Sequence, residues 1–210
     1  FAPEVGLATV KVLEAAGYEV VLSPKSAKCA LTWITTGQLT KAKKIAANTV
    51  SELLPTAKAG IKIVGLEPSS IAVLKSDINH LLGTDEADQV SKSAVTLAQL
   101  LLATPGWKAP DLSSEQYVAQ PHCHQHAVFG WQSDAKLLAG AGAKVAKVNG
   151  CCGLAGNWGM ERGHYETSVA VAQSNLLPAV KAKSASTEVL ADGFSCRTQL
   201  TDLANQPAKH

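Results

Sequence analysis

The sequence lacks most of the features that would place a chain quickly. No apolar run reaches the ~20 residues that a membrane-spanning helix needs, and no stretch reads as a secretory leader. Lysine and arginine number 19 against 17 acidic residues, a net charge of +2, and the basic residues are scattered among acidic ones. That pattern offers neither a nucleic-acid footprint nor a basic membrane patch. Cysteine stops at five, an odd number, which argues against a disulfide framework and for a reducing compartment. The expected location is therefore the cytoplasm, with a peripheral place at the inner membrane face as the variant. What is present suits a globular protein: 210 residues with 46% hydrophobic and 17% charged content can bury one large core or two small ones. The chain opens on Phe1 instead of Met, so a fragment of a longer polypeptide is expected.

The hydrophobic pattern predicts strands alternating with helices. A helix is expected over 3–16, with Pro3 in its first turn and Gly17 past its end. A strand over 19–22 follows, then a loop to Lys28-Cys29-Ala30, a helix over 37–58, and a β-branched strand over 61–66 that stops at Pro68. Helices over 70–82 and 88–103 precede a Pro/Gly/Asp/Ser-rich stretch at 104–114, the best linker candidate. Beyond it the plan recurs: strand 117–120, helix 131–141, strand 144–148, helix 162–182, strand 188–191. The expected fold class is α/β, with parallel sheets in two βαβ-type halves.

The halves match in detail. Cys29 to Leu53-Leu54-Pro55 has the spacing of Cys152 to Leu176-Leu177-Pro178, an offset of 123 residues in both cases. Ala-Ala-Gly at 15–17 falls opposite Gly-Ala-Gly at 140–142, and Ser69-Ser70 opposite Ser195-Cys196. This predicts an internal duplication, with a first repeat over 1–112 and a second over 113–210. In that register the first repeat lacks its opening strand.

Chemistry concentrates in the second half. In an open parallel sheet, sites form at the carboxyl ends of strands, where helix N-termini converge. Cys123 follows one predicted strand, Cys151 and Cys152 a second, and Cys196 a third, so four thiols are expected in one crevice. Thiolates select iron–sulfur clusters, zinc or copper(I). A lone free cysteine is more often a small buried hydrophobe, but four at corresponding strand ends favour ligation. A vicinal disulfide between Cys151 and Cys152 is disfavoured by strain. His122, His124 and His126 alternate, so an extended segment would put all three on one face beside Cys123, as imidazole ligands, hydrogen-bond donors to a ligand, or a proton relay. The competing expectation is a polar loop whose histidines bond to backbone. His164 is a weaker candidate of the same kind. Gly153, Gly156 and Gly159 do not form a dinucleotide fingerprint.

Three functional classes fit these residues: a cluster held by Cys123, Cys151, Cys152 and Cys196; a zinc-binding structural or interaction module using the same thiols with His124 or His126; and thiol-redox chemistry at Cys151 and Cys152 with His124 lowering a thiol pKa. In the first half, Lys28-Cys29-Ala30 and Ser70 stand opposite Cys151-Cys152-Gly153 and Cys196. They make a poor metal site, so one site is expected and not two.

Pro-His-Cys-His-Gln-His-Ala-Val at 121–128, Cys-Cys-Gly-Leu-Ala-Gly-Asn-Trp-Gly-Met-Glu-Arg-Gly-His-Tyr-Glu at 151–166 and Ala-Asp-Gly-Phe-Ser-Cys-Arg-Thr-Gln at 191–199 resemble the cysteine-rich CCG domain family. That family includes the heterodisulfide reductase B subunit and the iron–sulfur subunits of glycolate oxidase and anaerobic glycerol-3-phosphate dehydrogenase. It also includes the C-terminal region of FAD-linked 2-hydroxy-acid oxidases, which the chain resembles most. The resemblance covers essentially the whole chain. It implies an iron–sulfur cluster, of 4Fe–4S type, on Cys123, Cys151, Cys152 and Cys196, with the histidines and Arg162 around it. The chain would then be part of an oxidoreductase acting on D-lactate, glycolate or 2-hydroxyglutarate. Its partners would be an upstream FAD domain of the same polypeptide and a quinone-side or thiol acceptor. Lys28, Ala30 and Ser70 depart from the pattern in the first repeat. Gln199 stands where some members carry a last cysteine.

Overall fold

The computed structural model describes residues 2–23 and 27–210, so positions 24–26 of the predicted loop lie outside the described residues. The chain divides into two compact units, Phe1–Trp107 and Lys108–His210. The division falls inside the Pro/Gly-rich stretch.

The first unit contains α1 (Pro3–Ala15), α2 (Leu31–Thr35), α3 (Leu39–Lys58), β1 (Ile63–Val64), α4 (Pro68–Ala72), α5 (Ile78–Leu82), α6 (Asp85–Ser93), β2 (Ala94–Val95) and α7 (Leu97–Leu102). A π-helical turn over Val73–Asp77 joins α4 to α5. Ala42, Ala46, Val50, Leu53 and Ala57 recur at helical spacing along α3, forming one buried stripe against Val73, Ile78, Ala87 and Val90. β1 and β2 pair in parallel.

Three expectations are corrected here. Residues 19–22 form no strand: the segment carries the β-branched pattern, but no neighbour among the described residues pairs with it. The strand expected over 61–66 shrinks to two residues. The helix expected over 88–103 breaks at β2, because Thr96 starts a new helix through a reciprocal capping box with Gln99.

The second unit contains β3 (Gln116–Ala119), α8 (Cys123–Val128), α9 (Gln132–Gly140), β4 (Lys144–Lys147), α10 (Tyr165–Ser174), α11 (Leu176–Ala182), β5 (Glu188–Leu190) and α12 (Phe194–Ala204). Its strands form a parallel sheet in the order β4-β3-β5, and Lys209 bridges Leu190 in parallel on the far side of β5. The architecture is thus α/β with two small parallel sheets. The helix expected over 162–182 is two helices, separated at Asn175 (φ −144°, ψ −48°). Pro178 lacks an amide hydrogen, and its ring collides with the carbonyl four residues back, at Ser174, where α10 ends. The core gathers Val118, Val148, Leu154, Leu176, Val180, Val189, Ala191 and Leu200, and Cys152 and Cys196 belong to the same cluster. Among the described residues no helix is long and apolar enough to cross a membrane.

Candidate functional site

Because β3, β4 and β5 are parallel, their carboxyl ends share one edge of the sheet, and each ends in a cysteine-bearing turn. Central β3 runs through Gln120-Pro121-His122 into Cys123, the first residue of α8. β4 runs through Val148-Asn149-Gly150 into Cys151-Cys152-Gly153, and β5 through Ala191-Asp192-Gly193 into α12, whose first turn holds Cys196.

These turns bring the four thiols into one chain of contacts. Cys123 shares a hydrogen bond with Cys151, Cys151 with Cys152, and Cys152 with Cys196. Cys123 is exposed, Cys151 half-buried, and Cys152 and Cys196 are only 2% and 0% exposed. The set therefore runs from solvent into the core. Cys151 is the favoured thiolate. Hydrogen bonds from Cys123 and Cys152 hold its pKa well below the usual thiol range, the Gly153 N–H (3.3 Å) assists, and burial opposes them. The same bonds, with burial, push Cys123 and Cys152 well above it. Among the described residues no group of three or more His, Cys, Asp or Glu side chains is arranged to hold one metal ion.

The residues that fix these turns carry no conspicuous motif. Buried Gln120 donates from Nε2 to the carbonyls of Pro121 (3.1 Å) and Gly150 (3.0 Å), tying the exit of β3 to that of β4. His122, 6% exposed, accepts the His124 N–H at Nδ1 (3.2 Å) and meets Ser195 Oγ at Nε2 (3.4 Å). In the neutral tautomer that accepts at Nδ1, the proton sits on Nε2. A protonated His122 would favour the Cys151 thiolate further, at the cost of that cap bond. His122 thus clamps α8 to α12 through these two contacts. Gly193 allows this, since a Cβ there would stand 2.0 Å from the His122 ring. Arg197 donates from Nη1 to the Ala191 and Asp192 carbonyls, fixing the exit of β5. Buried Gln199, one turn beyond Cys196, donates to Ser168 Oγ (2.9 Å), and its Oε1 has no protein partner. Gly153 and Gly159 pack on Ser168, where a Cβ would come within 2.2 and 2.4 Å of its oxygens.

The histidine expectation is corrected. Residues 123–128 are helical and not extended, so His122, His124 and His126 do not share one face. His124 lies edge-on to His122, with ring centroids 5.4 Å apart, and its buried Nδ1 has no partner. His126 is exposed. His164 stacks on Trp158 at 4.2 Å and directs Nδ1 to the Trp158 carbonyl (3.2 Å). Among the described residues no contact joins His126 or His164 to a thiol. Arg162 is exposed. In the first unit, Ser70 Oγ donates to Cys29 Sγ (3.3 Å), so the two positions opposite Cys152 and Cys196 also meet, without a second thiol.

Asp134 on α9 anchors α8 from behind by accepting from Gln125 Nε2 (2.9 Å). Burial, then the charge of Asp192, raises its pKa to about 6. An acid raised above its unfolded value supports the fold when protonated. That support is complete below about pH 4 and lost as pH rises through about 6. Asp134→Asn should therefore stabilise the chain at pH 7 by about 2 kcal/mol, a gain that disappears below about pH 4. Urea midpoints at the two pH values check this.

No protein-family profile matches the chain. It is similar to curated proteins named D-2-hydroxyglutarate dehydrogenase: 28% identical over 205 residues to that of Escherichia coli, covering 96% of this chain. It is 26% identical over 207 residues to that of Pantoea ananatis, covering 96%. The Pseudomonas putida protein is also 26% identical over 207 residues, covering 92%. The match takes in 19–20% of each relative, so the chain spans about one-fifth of their length.

Proposed function

We propose that this chain is the iron–sulfur electron-transfer part of an FAD-dependent 2-hydroxy-acid dehydrogenase. The flavin would lie elsewhere in a longer polypeptide. The observation that carries the reading is the meeting of Cys123, Cys151, Cys152 and Cys196 at the carboxyl ends of three parallel strands. The relatives' name supports D-2-hydroxyglutarate first, with D-lactate and glycolate beside it from the sequence resemblance alone.

The donor set fits a cluster: four soft sulfur atoms, two of them in the core, come from turns held by Gln120, His122 and Arg197. Such a cluster, of 4Fe–4S type, supplies a one-electron carrier when bound. Cys152 and Cys196 would anchor it from the core side, Cys151 would enter already ionised, and Cys123 would close it toward solvent. The Gly153 N–H donates to Cys151 Sγ, and a donor aimed at a ligand sulfur raises the potential. No residue described here has to touch the hydroxy acid. The acceptor is a quinone-side or thiol partner. An odd number of cysteines suits a reducing, cytoplasmic setting, with peripheral membrane contact as the variant.

The test uses the longer polypeptide with its flavin. Anaerobic D-2-hydroxyglutarate, D-lactate or glycolate should bleach the broad visible absorption of the cluster after the flavin is reduced. Flavin reduction that leaves the cluster absorption unchanged, with every substrate, overturns the role.

One observation favours a second reading, thiol-redox chemistry: exposed Cys123 donates to a Cys151 that is the favoured thiolate. It predicts rapid alkylation of Cys151 at neutral pH in the protein as isolated. The cluster reading predicts labelling only after iron is removed.

A further inference from the structure

The two units repeat one another bond for bond at two places. At the end of α1, the N–H groups of Ala16, Gly17 and Tyr18 donate to the carbonyls of Val12, Glu14 and Leu13. At the end of α9, those of Ala141, Gly142 and Ala143 donate to Leu137, Ala139 and Leu138, 125 positions later in each case. Gly17 (φ +88°) and Gly142 (φ +83°) take the same left-handed conformation. The second place lies at the other side of each sheet. Val64 pairs with Val95 and Gly65 N–H donates to the Val95 carbonyl (3.4 Å). Leu190 likewise pairs with Lys209 and Ala191 N–H donates to the Lys209 carbonyl (2.8 Å); Val64 and Gly65 correspond to Leu190 and Ala191 at a shift of 126 positions, while the partners Val95 and Lys209 differ by 114.

By these shifts, residues 19–22 stand where β4 stands, and β1 stands where β5 stands. In the second unit β4 and β5 are both paired to β3, which lies between them. In the first unit nothing among the described residues takes the place of β3. No backbone hydrogen bond there involves Glu19, Val20, Val21 or Leu22. Val21 and Leu22 are 73% and 78% exposed. Ile63 is half-buried, whereas its counterpart Val189 is 1% exposed. One flank, β1, is formed and paired with β2; the other, residues 19–22, has no strand pairing, and no described strand stands at the position between them.

We propose that residues 19–22 and β1 flank an open strand position, filled by a short parallel strand from the polypeptide ahead of Phe1. The source follows from order: β3 precedes α9 in the second unit, and the 125-position shift carries Gln116–Ala119 to positions before residue 1. The match takes in about a fifth of each relative, so most of a relative's polypeptide lies outside it. The register follows from β3 as well. The four residues of the incoming strand lie opposite Glu19, Val20, Val21 and Leu22, as Gln116–Ala119 lie opposite Lys144–Lys147. Its last three residues lie opposite Lys62, Ile63 and Val64, as Tyr117, Val118 and Ala119 lie opposite Glu188, Val189 and Leu190. β3 is buried over its last three residues, so the incoming strand is apolar there. The inference is independent of any metal or cofactor.

Backbone hydrogen exchange tests it, because amides in a paired strand exchange far more slowly than free ones. On an edge strand alternate amides face the partner. The β4 donors are Lys144 and Val148, and Ala146 falls between them, so Val21 is the amide that should respond. In the 210-residue chain it should exchange like an unstructured peptide. In the polypeptide extended upstream as its gene encodes it, Val21 should slow by on the order of 100-fold or more. Fast exchange of Val21 in the extended polypeptide overturns the proposal. So does protection already present in the monomeric 210-residue chain, which means an internal partner, or protection that grows with its concentration, which means a second copy.

Discussion

Cys152→Ser is expected to lose at least ~90% of the iron bound by the wild-type chain, while Cys29→Ser keeps it. Cys152 lies at the middle of the thiol chain, in hydrogen-bond contact with both Cys151 and Cys196, and is 2% exposed. A hydroxyl at that place is a hard, protonated donor where a soft thiolate is needed. Among the described residues no other thiol is recorded against Cys29, which accepts from the Ser70 hydroxyl and packs on the first unit's core, so its loss removes no ligand. Both substitutions keep the side-chain size and should leave the far-UV circular dichroism unchanged. Iron per chain after anaerobic preparation is the readout. Equal loss in both variants contradicts the assignment of the site to the second unit alone.

Gly153→Ala is expected to destabilise the chain by about 3–5 kcal/mol, a large part of the ~5–15 kcal/mol that holds a domain folded. Two costs add. Gly153 has φ +93°, where a side chain costs about 1–3 kcal/mol. A Cβ would also stand 2.2 Å from the Ser168 backbone oxygen, which cannot rotate away as a side chain would. Either the Cys-Cys turn or α10 must move, so metal retention should fall with stability. Gly6→Ala is the control. It lies within α1 with no atom near its added Cβ, and should stabilise by about 0.5–1 kcal/mol. Urea melts of both variants measure the contrast.

The placement of the four cysteines at one edge of the sheet was legible in the sequence because it depends on one rule of parallel sheets. Each cysteine follows a strand, and parallel strands end together. The supporting residues were not legible. Gln120, Ser168, Gly193 and Gln199 act through contacts between segments far apart in the chain, and no local spacing marks such a contact. The histidines misled for a local reason: alternation suggests an extended segment only when the backbone is extended, and the helix begins at Cys123. Pro178 ended a helix where Pro55 sits inside one, so the shared Leu-Leu-Pro does not carry one local geometry, and its offset of 123 differs from the 125 and 126 of the backbone correspondences. The segment at 19–22 read as a strand from its Val-Val-Leu pattern. Pairing decides strand formation, and no strand among the described residues pairs with that segment.

The account rests on four thiols of the second unit holding one iron–sulfur group, and the direct measurement is iron, acid-labile sulfide and zinc per chain in anaerobically prepared protein. The expected result is iron and sulfide in equal amounts, about four of each for a cubane cluster, with visible absorption and negligible zinc. Protein without iron or sulfide, or with one tightly held zinc that resists mild chelation, would contradict it.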